Sequence, residues 1–164
     1  MAFIEQTQNE AFPFYYNLHE GVGPDLNGNY RRDDIMLVQY LLKKVWAQGR
    51  FSFAPTLPPP PAPGDINPDG IYGNTTKRWI KEYQNMEKQR GNTVLADGRI
   101  DRILNQSAET SISHTIYTLF VLNKRFKEAL PEVFENVNDD PDCPPDLKII
   151  LGVVITSGGG GDGE

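Results

Sequence analysis

Asp65, Asn67 and Asp69 stand at alternate positions with Gly70 behind them, the first half of a calcium loop that takes oxygen ligands at positions one, three and five and glycine at six. Position twelve then requires a bidentate Glu but holds Thr76, and Pro68 stiffens the loop, so the oxygen set is incomplete. His19 and His114 lie far apart in sequence, with no His-x-x-x-His or His-Glu-x-x-His pair to suggest a zinc hydrolase. The lone Cys143 sits between Asp142 and Pro144-Pro145, without a second thiol for a disulfide or metal and without a base near it in sequence. No Gly-x-Ser-x-Gly nucleophile elbow occurs, and Asp139-Asp140 reads as a solvated polar loop. The sequence therefore predicts no catalytic group, no metal and no cofactor.

What remains is a chain built to position side chains for binding. Its 164 residues suit one domain with appendages. A net charge of -6 lacks the basic footprint of a phosphate-backbone binder, so nucleic acid is not an expected partner. No apolar run approaches the length of a membrane span; the longest, Ile149 to Ile155, has the size and composition of a strand. The first residues lack the basic and apolar regions of a secretory signal. The expectation is synthesis in the cytoplasm, and cysteine usage leaves the final compartment open.

From Asp34 to about Gln48, apolar residues at 35, 38, 41, 42 and 45 recur at helical spacing, with Asp33 or Asp34 as N-cap. A second helix is predicted from Thr75 to Gln89, with Trp79, Ile80, Tyr83 and Met86 on one face and Lys77, Arg78, Lys81, Glu82, Glu87 and Lys88 largely on the other. A third periodic segment carries Ile112, Ile116, Leu119, Phe120 and Phe126, capped by Ser111 or Ser113 and followed by Pro131. Between the first two helices, Pro58-Pro59-Pro60-Pro61 favours an extended surface spacer. The expected organisation is an irregular aromatic N-terminal arm over 1–30 and a helical domain over 31–130 with a proline-rich loop at 50–68. A loop and strand-like segment over 131–156 and a disordered glycine-rich tail over 157–164 complete it.

Asp34-Ile35 with Val38-Gln39-Tyr40-Leu41-Leu42, the turn Asp69-Gly70-Ile71-Tyr72-Gly73 with Thr76, Tyr83-Gln84 at the end of the second helix, and the second turn Ala96-Asp97-Gly98 follow one another in a recognisable order. Over residues 30 to 104 this arrangement resembles the peptidoglycan-binding-like domain family, a small three-helix module. Asn74 replaces the usual Pro, the first loop is lengthened by prolines, and the second turn lacks its closing Gly. The resemblance implies a mainly α fold, a three-helix bundle extended by the proline-rich loop, the N-terminal arm and a short C-terminal β-strand. It implies non-catalytic binding of a cell-wall glycan or stem peptide in a groove beside the second helix, near Asp69, Tyr72, Trp79, Tyr83, Gln84 and Asp97. In bacterial or phage context, the wall would be reached by lysis or through a dedicated apparatus. The alternative is a structural or adaptor protein of a phage-like or secretion assembly, using the same scaffold for protein contacts or self-association through the C-terminal strand.

Overall fold

The computed structural model describes residues 1–24, 31–47, 66–111 and 113–160. A short antiparallel hairpin, β1 (Phe3–Gln6) and β2 (Phe14–Asn17), precedes α1 (Arg32–Leu42), which continues as a π-helical turn over Lys43–Ala47. Then come α2 (Asn74–Gln89), α3 (Thr118–Ala129), the short α4 (Pro131–Glu135) and α5 (Pro145–Gly160). The protein is mainly α with one small two-stranded sheet.

α1 is the hub. Every residue from Asp34 to Leu42 is buried, because α2, α3 and α5 all pack against this helix. Burial on all sides is what an apolar run flanked by other helices produces. Two aromatic clusters meet it. Trp46 lies edge-on to Trp79 at 5.5 Å and to Tyr83 at 5.7 Å, which fixes α2. Tyr40 lies edge-on to Phe126 at 5.9 Å, and Phe126 continues into Phe134 and Tyr16, which fixes α3, α4 and the hairpin. Edge-to-face pairs of this kind add directional preference to area burial.

The N-terminal arm is not irregular as expected. Phe3 to Gln6 pairs in register with Asn17 to Phe14, closed by Thr7 N–H to Pro13 O at 2.8 Å. Tyr15, Tyr16 and Asn17 are all buried, so both faces of β2 are covered and the two-residue alternation that marks a half-buried strand is missing. Asn123 of α3 holds Tyr16 by both backbone groups, accepting its N–H at 2.7 Å and donating to its carbonyl at 2.9 Å.

The C-terminal strand is likewise corrected, to helix. Leu147 and Leu151 are fully buried while Ile149 is 64 % exposed, a spacing of four that a strand would place on a single face with Ile149. Pro145 opens the helix, where its missing N–H costs nothing, and Lys148 N–H to Pro144 O at 2.9 Å is its first bond. The helix runs on to Gly160, into the stretch expected to be a disordered tail; residues 161–164 lie outside the described residues. α3 starts at Thr118 rather than near Ser111, and ahead of it Glu109 and Ile116 form an isolated antiparallel bridge. The proline-rich stretch at 50–65 and Ile112 lie outside the described residues. Among the described residues no helix is long and apolar enough to cross a membrane.

Candidate functional site

The two Asp-Gly turns are held by the same device. In the first, Gln39 of α1 accepts the Gly70 N–H at 2.8 Å through Oε1, and its Nε2 faces Asp69 Oδ1 at 3.1 Å, Ile71 O at 3.0 Å and Thr76 Oγ1 at 2.9 Å. In the second, Gln84 of α2 accepts the Gly98 N–H at 2.8 Å, and its Nε2 faces Asp97 Oδ1 at 3.5 Å, Arg99 O at 2.7 Å and Thr118 Oγ1 at 3.0 Å. Each Asp also accepts the amide two residues on, Ile71 N at 2.9 Å and Arg99 N at 3.0 Å. Gly70 and Gly98 share a φ of +78°. A left-handed residue sits at each bend because an L side chain there is strained, and glycine has none.

The logic of the clamp is hydrogen-bond accounting. A buried turn exposes amides and carbonyls that a helix or sheet would otherwise satisfy, and a primary amide offers two donors and two acceptor lone pairs at once. Each glutamine, 1 % exposed for Gln39 and fully buried for Gln84, ties its own helix to the next turn and to the threonine near the start of the next helix. Gln39 joins α1 to α2; Gln84 joins α2 to α3.

This accounting relocates the residues singled out from the sequence. Trp79 is 1 % exposed, and Tyr83 and Gln84 are fully buried, so none of the three meets solvent. Tyr83 donates to Glu87 at 2.6 Å, and Arg125 of α3 grips both oxygens of the same carboxylate. Glu87, expected on the solvent face of α2, is fully buried because Arg125 neutralises it there. Burial, followed by the neighbouring Glu87 charge, holds the Tyr83 hydroxyl well above its ordinary range, so it stays protonated and donates. Tyr72 packs half-buried against the edge of the core. Asp69 and Asp97 remain at the surface; Asp69 lines a cleft at the first turn, while Asp97 lies in a narrow crevice of about 20 Å³ with Leu95, Arg99 and Thr118.

The first cleft, of about 350 Å³, lies where the first turn enters α2 and is lined by Gln39, Asn67, Asp69, Ile71, Asn74 and Thr75. Ile71 is 67 % exposed at its lip. Asn74 and Thr75 open α2 and point to solvent; no side chain caps that helix end. The cleft thus offers an apolar surface, amides, a hydroxyl and one carboxylate. The second turn carries its own cleft, of about 330 Å³, with Arg99, Asp101, Arg102, Thr110, Ser111 and Tyr117 in its walls. Sequence reasoning did not single out Ile71 or Asn74, which line the first cleft. An apolar residue between two turn glycines was the available signal, since a tight turn rarely buries its own tip.

A third constellation is internal. Tyr40 donates to Asp140 at 2.5 Å, and Lys44, on the π-helical turn, reaches Asp140 and Asp142 at 3.1 Å each. Burial pushes the Asp140 carboxyl up, but the Tyr40 hydroxyl, the Asp142 amide and the Lys44 ammonium outweigh it and hold the carboxyl below its ordinary value. Lys44 is 7 % exposed, so the network acts as a pin between α1 and the loop before α5. Among the described residues, no three His, Cys, Asp or Glu side chains are grouped closely enough to hold a metal ion. No protein family model, no curated protein and no solved structure matches the chain.

Proposed function

We propose that the protein is a non-catalytic binding module for the peptidoglycan of a bacterial cell wall, a divergent relative of the peptidoglycan-binding-like three-helix modules. In this reading α1, α2 and α3 form the bundle and the proline-rich stretch is a loop inserted between the first two helices. The observation that supports it is the cleft at the start of α2, where Ile71 stands 67 % exposed beside Asn67, Asn74 and Thr75. A sugar ring presents an apolar C–H face and a rim of hydroxyls; an exposed aliphatic flanked by amides and a hydroxyl answers both. Its volume of about 350 Å³ falls at the small end of the roughly 300–1,000 Å³ typical of small-ligand clefts.

In this reading the groove is moved from the aromatic face of α2 to its first turn. Of the residues that the family resemblance points to, Asp69 both stays at the surface and lines this cleft. The assembly-adaptor alternative rests on the lack of a secretory-signal pattern, on a C-terminal strand and on the aromatic arm; the last two segments are a helix and a hairpin packed on the core, so no structural observation favours it over wall binding.

Co-sedimentation with isolated sacculi, with turbidity followed in the same tube, tests the proposal. Saturable, salt-tolerant pelleting without clearing is expected, with at least tenfold weaker binding for Ile71→Ser and Asn74→Ala. Both positions are exposed, so these variants should keep the wild-type fold. Failure of the wild-type chain to pellet, or wild-type affinity in both variants, contradicts the proposal; clearing of the suspension would reveal catalysis.

A further inference from the structure

The two clamped turns match position by position: Ile66 with Val94, Asn67 with Leu95, Asp69 with Asp97, Gly70 with Gly98 and Ile71 with Arg99. Ile66 and Val94 are both 2 % exposed, and both glycines are buried at the same φ. The backbone frame is therefore repeated while its chemistry changes. Where the first turn offers neutral Ile71, the second offers the guanidinium of Arg99, and Arg102 follows three residues on.

The route to the next helix also changes. In the first turn Thr76 follows Gly70 closely, whereas residues 99–117 intervene between Gly98 and Thr118 and raise a wall of Thr110, Ser111 and Tyr117 over the turn. Three residues of this insertion, Asn105, Gln106 and His114, adopt positive φ (58°, 54° and 53°), so the loop holds a defined rather than a relaxed path.

The two arginines have donors to spare. Arg99 uses Nε on Asp101 at 2.8 Å, with its side chain 37 % exposed, and among the described residues its terminal nitrogens meet no acceptor. Arg102 is steadied over the Phe3 ring at 5.2 Å and reaches His19 O at 3.4 Å, while its buried Nε has no acceptor among the described residues. Buried donors without partners are uncommon in folded proteins. The cleft wall itself carries two guanidiniums against one carboxylate, Asp101, while Asp97 is turned to the Arg99 amide in the adjoining crevice.

We infer that the cleft at the second turn is a separate binding site for a carboxylate, the terminal carboxylate of a short peptide, held by Arg99 and Arg102 with the Thr110 and Ser111 hydroxyls around the peptide backbone. Guanidinium groups bind carboxylates through paired, charge-assisted hydrogen bonds that no neutral amide reproduces. The choice of a peptide as carrier rests on the cell-wall reading; the preference for a carboxylate rests on the arginines.

The test titrates the full chain, labelled with ¹⁵N, with N-acetyl-alanyl-alanine and separately with its C-terminal amide. The acid should move the amide signals of Arg99, Arg102, Thr110 and Ser111 to saturation, and the amide should bind at least tenfold more weakly. Arg99→Gln, at a partly exposed position, should weaken the acid at least tenfold while leaving the urea midpoint unchanged. Equal response to acid and amide, no response to either, or undiminished binding by a folded Arg99→Gln variant would overturn the inference. Sacculus pelleting without a response to the acid removes this site and leaves the wall reading; a response to the acid without pelleting keeps the site and removes that reading.

Discussion

Replacing Gln39 with methionine keeps the length and nearly the volume of the side chain but deletes every polar contact it makes, so the cavity contribution is small and the hydrogen-bond contribution stands alone. The Gly70 N–H, buried and accepted by Gln39 Oε1 at 2.8 Å, is left with no acceptor. An orphaned buried amide costs about 1–3 kcal/mol. The Ile71 carbonyl loses its donor at 3.0 Å and retains only the long contact from Thr76 Oγ1 at 3.4 Å, a loss of about 1 kcal/mol. Asp69 keeps the Ile71 amide. The expected total is about 2–4 kcal/mol, a large part of the stability of a domain this size. With a urea slope of about 2 kcal/mol/M, the midpoint should fall by roughly 1–2 M at unchanged slope. Gln39→Glu should be worse at neutral pH, because it turns the Nε2 donor into an acceptor 3.1 Å from Asp69 and 3.0 Å from the Ile71 carbonyl, and it should recover partly in acid. The matching Gln84→Met should cost a similar amount through Gly98, Arg99 and Thr118. A midpoint shift below about 0.3 M for Gln39→Met, at an unchanged slope, would refute the clamp as the element that holds the turn.

The two turn glycines should differ in their tolerance of alanine. Gly98→Ala meets nothing within 4 Å and should cost only the left-handed backbone term of about 1–2 kcal/mol, whereas at Gly70 the added Cβ would also lie 3.0 Å from the Arg32 carbonyl oxygen, so its urea midpoint should fall further. Burial, with Asp140 adding to it and Lys148 and Lys44 opposing, pushes the Cys143 thiol up to about 12, so iodoacetamide near neutral pH should label it only when the chain unfolds. Labelling faster than global unfolding would contradict its place in the core. Asp140 is held below its ordinary value of 3.8, so the folded chain binds fewer protons there than the unfolded chain; its contribution is complete above that value and disappears as pH falls through the folded one. Asp34 has the opposite sign, since burial outweighs the His19 and Glu20 amides and raises it; its contribution is present in acid and lost as pH climbs through the raised value. Tyr40→Phe should therefore cost about 1.5–3 kcal/mol at neutral pH and less below the ordinary carboxylate value, as urea midpoints across that range will register.

Helix α2 was legible because Trp79, Ile80, Tyr83 and Met86 bury one stripe and leave Lys77, Arg78, Lys81 and Glu82 outside, so a single periodicity determines it. Glu87 broke that pattern for a reason no local window contains: its partner Arg125 arrives from another helix. In sequence, helix α5 reads as a strand because Ile149, Ile150, Val153 and Val154 favour strands, while the decisive facts are Pro145 at its start and the Leu147–Leu151 spacing. The hairpin was hidden because both faces of β2 are covered. At the site, the motif residues were visible but their work was not. Gln39 and Gln84 sit in sequence as ordinary helical polar residues, and only the fold shows each lying under the turn that follows it. Aromatic type suggests a sugar platform at Trp79 and Tyr83, helical spacing suggests core, and burial makes them core.

The most direct test of where this protein meets its ligand is an amide and indole ¹⁵N spectrum of the full chain with a soluble, peptide-free fragment of wall glycan. The account predicts saturable shifts at Asn67, Asp69, Ile71, Asn74 and Thr75, with the Trp79 indole signal unmoved because that ring is 1 % exposed. Shifts centred on the Trp79 indole and the Tyr83 amide, with the first turn silent, would contradict it.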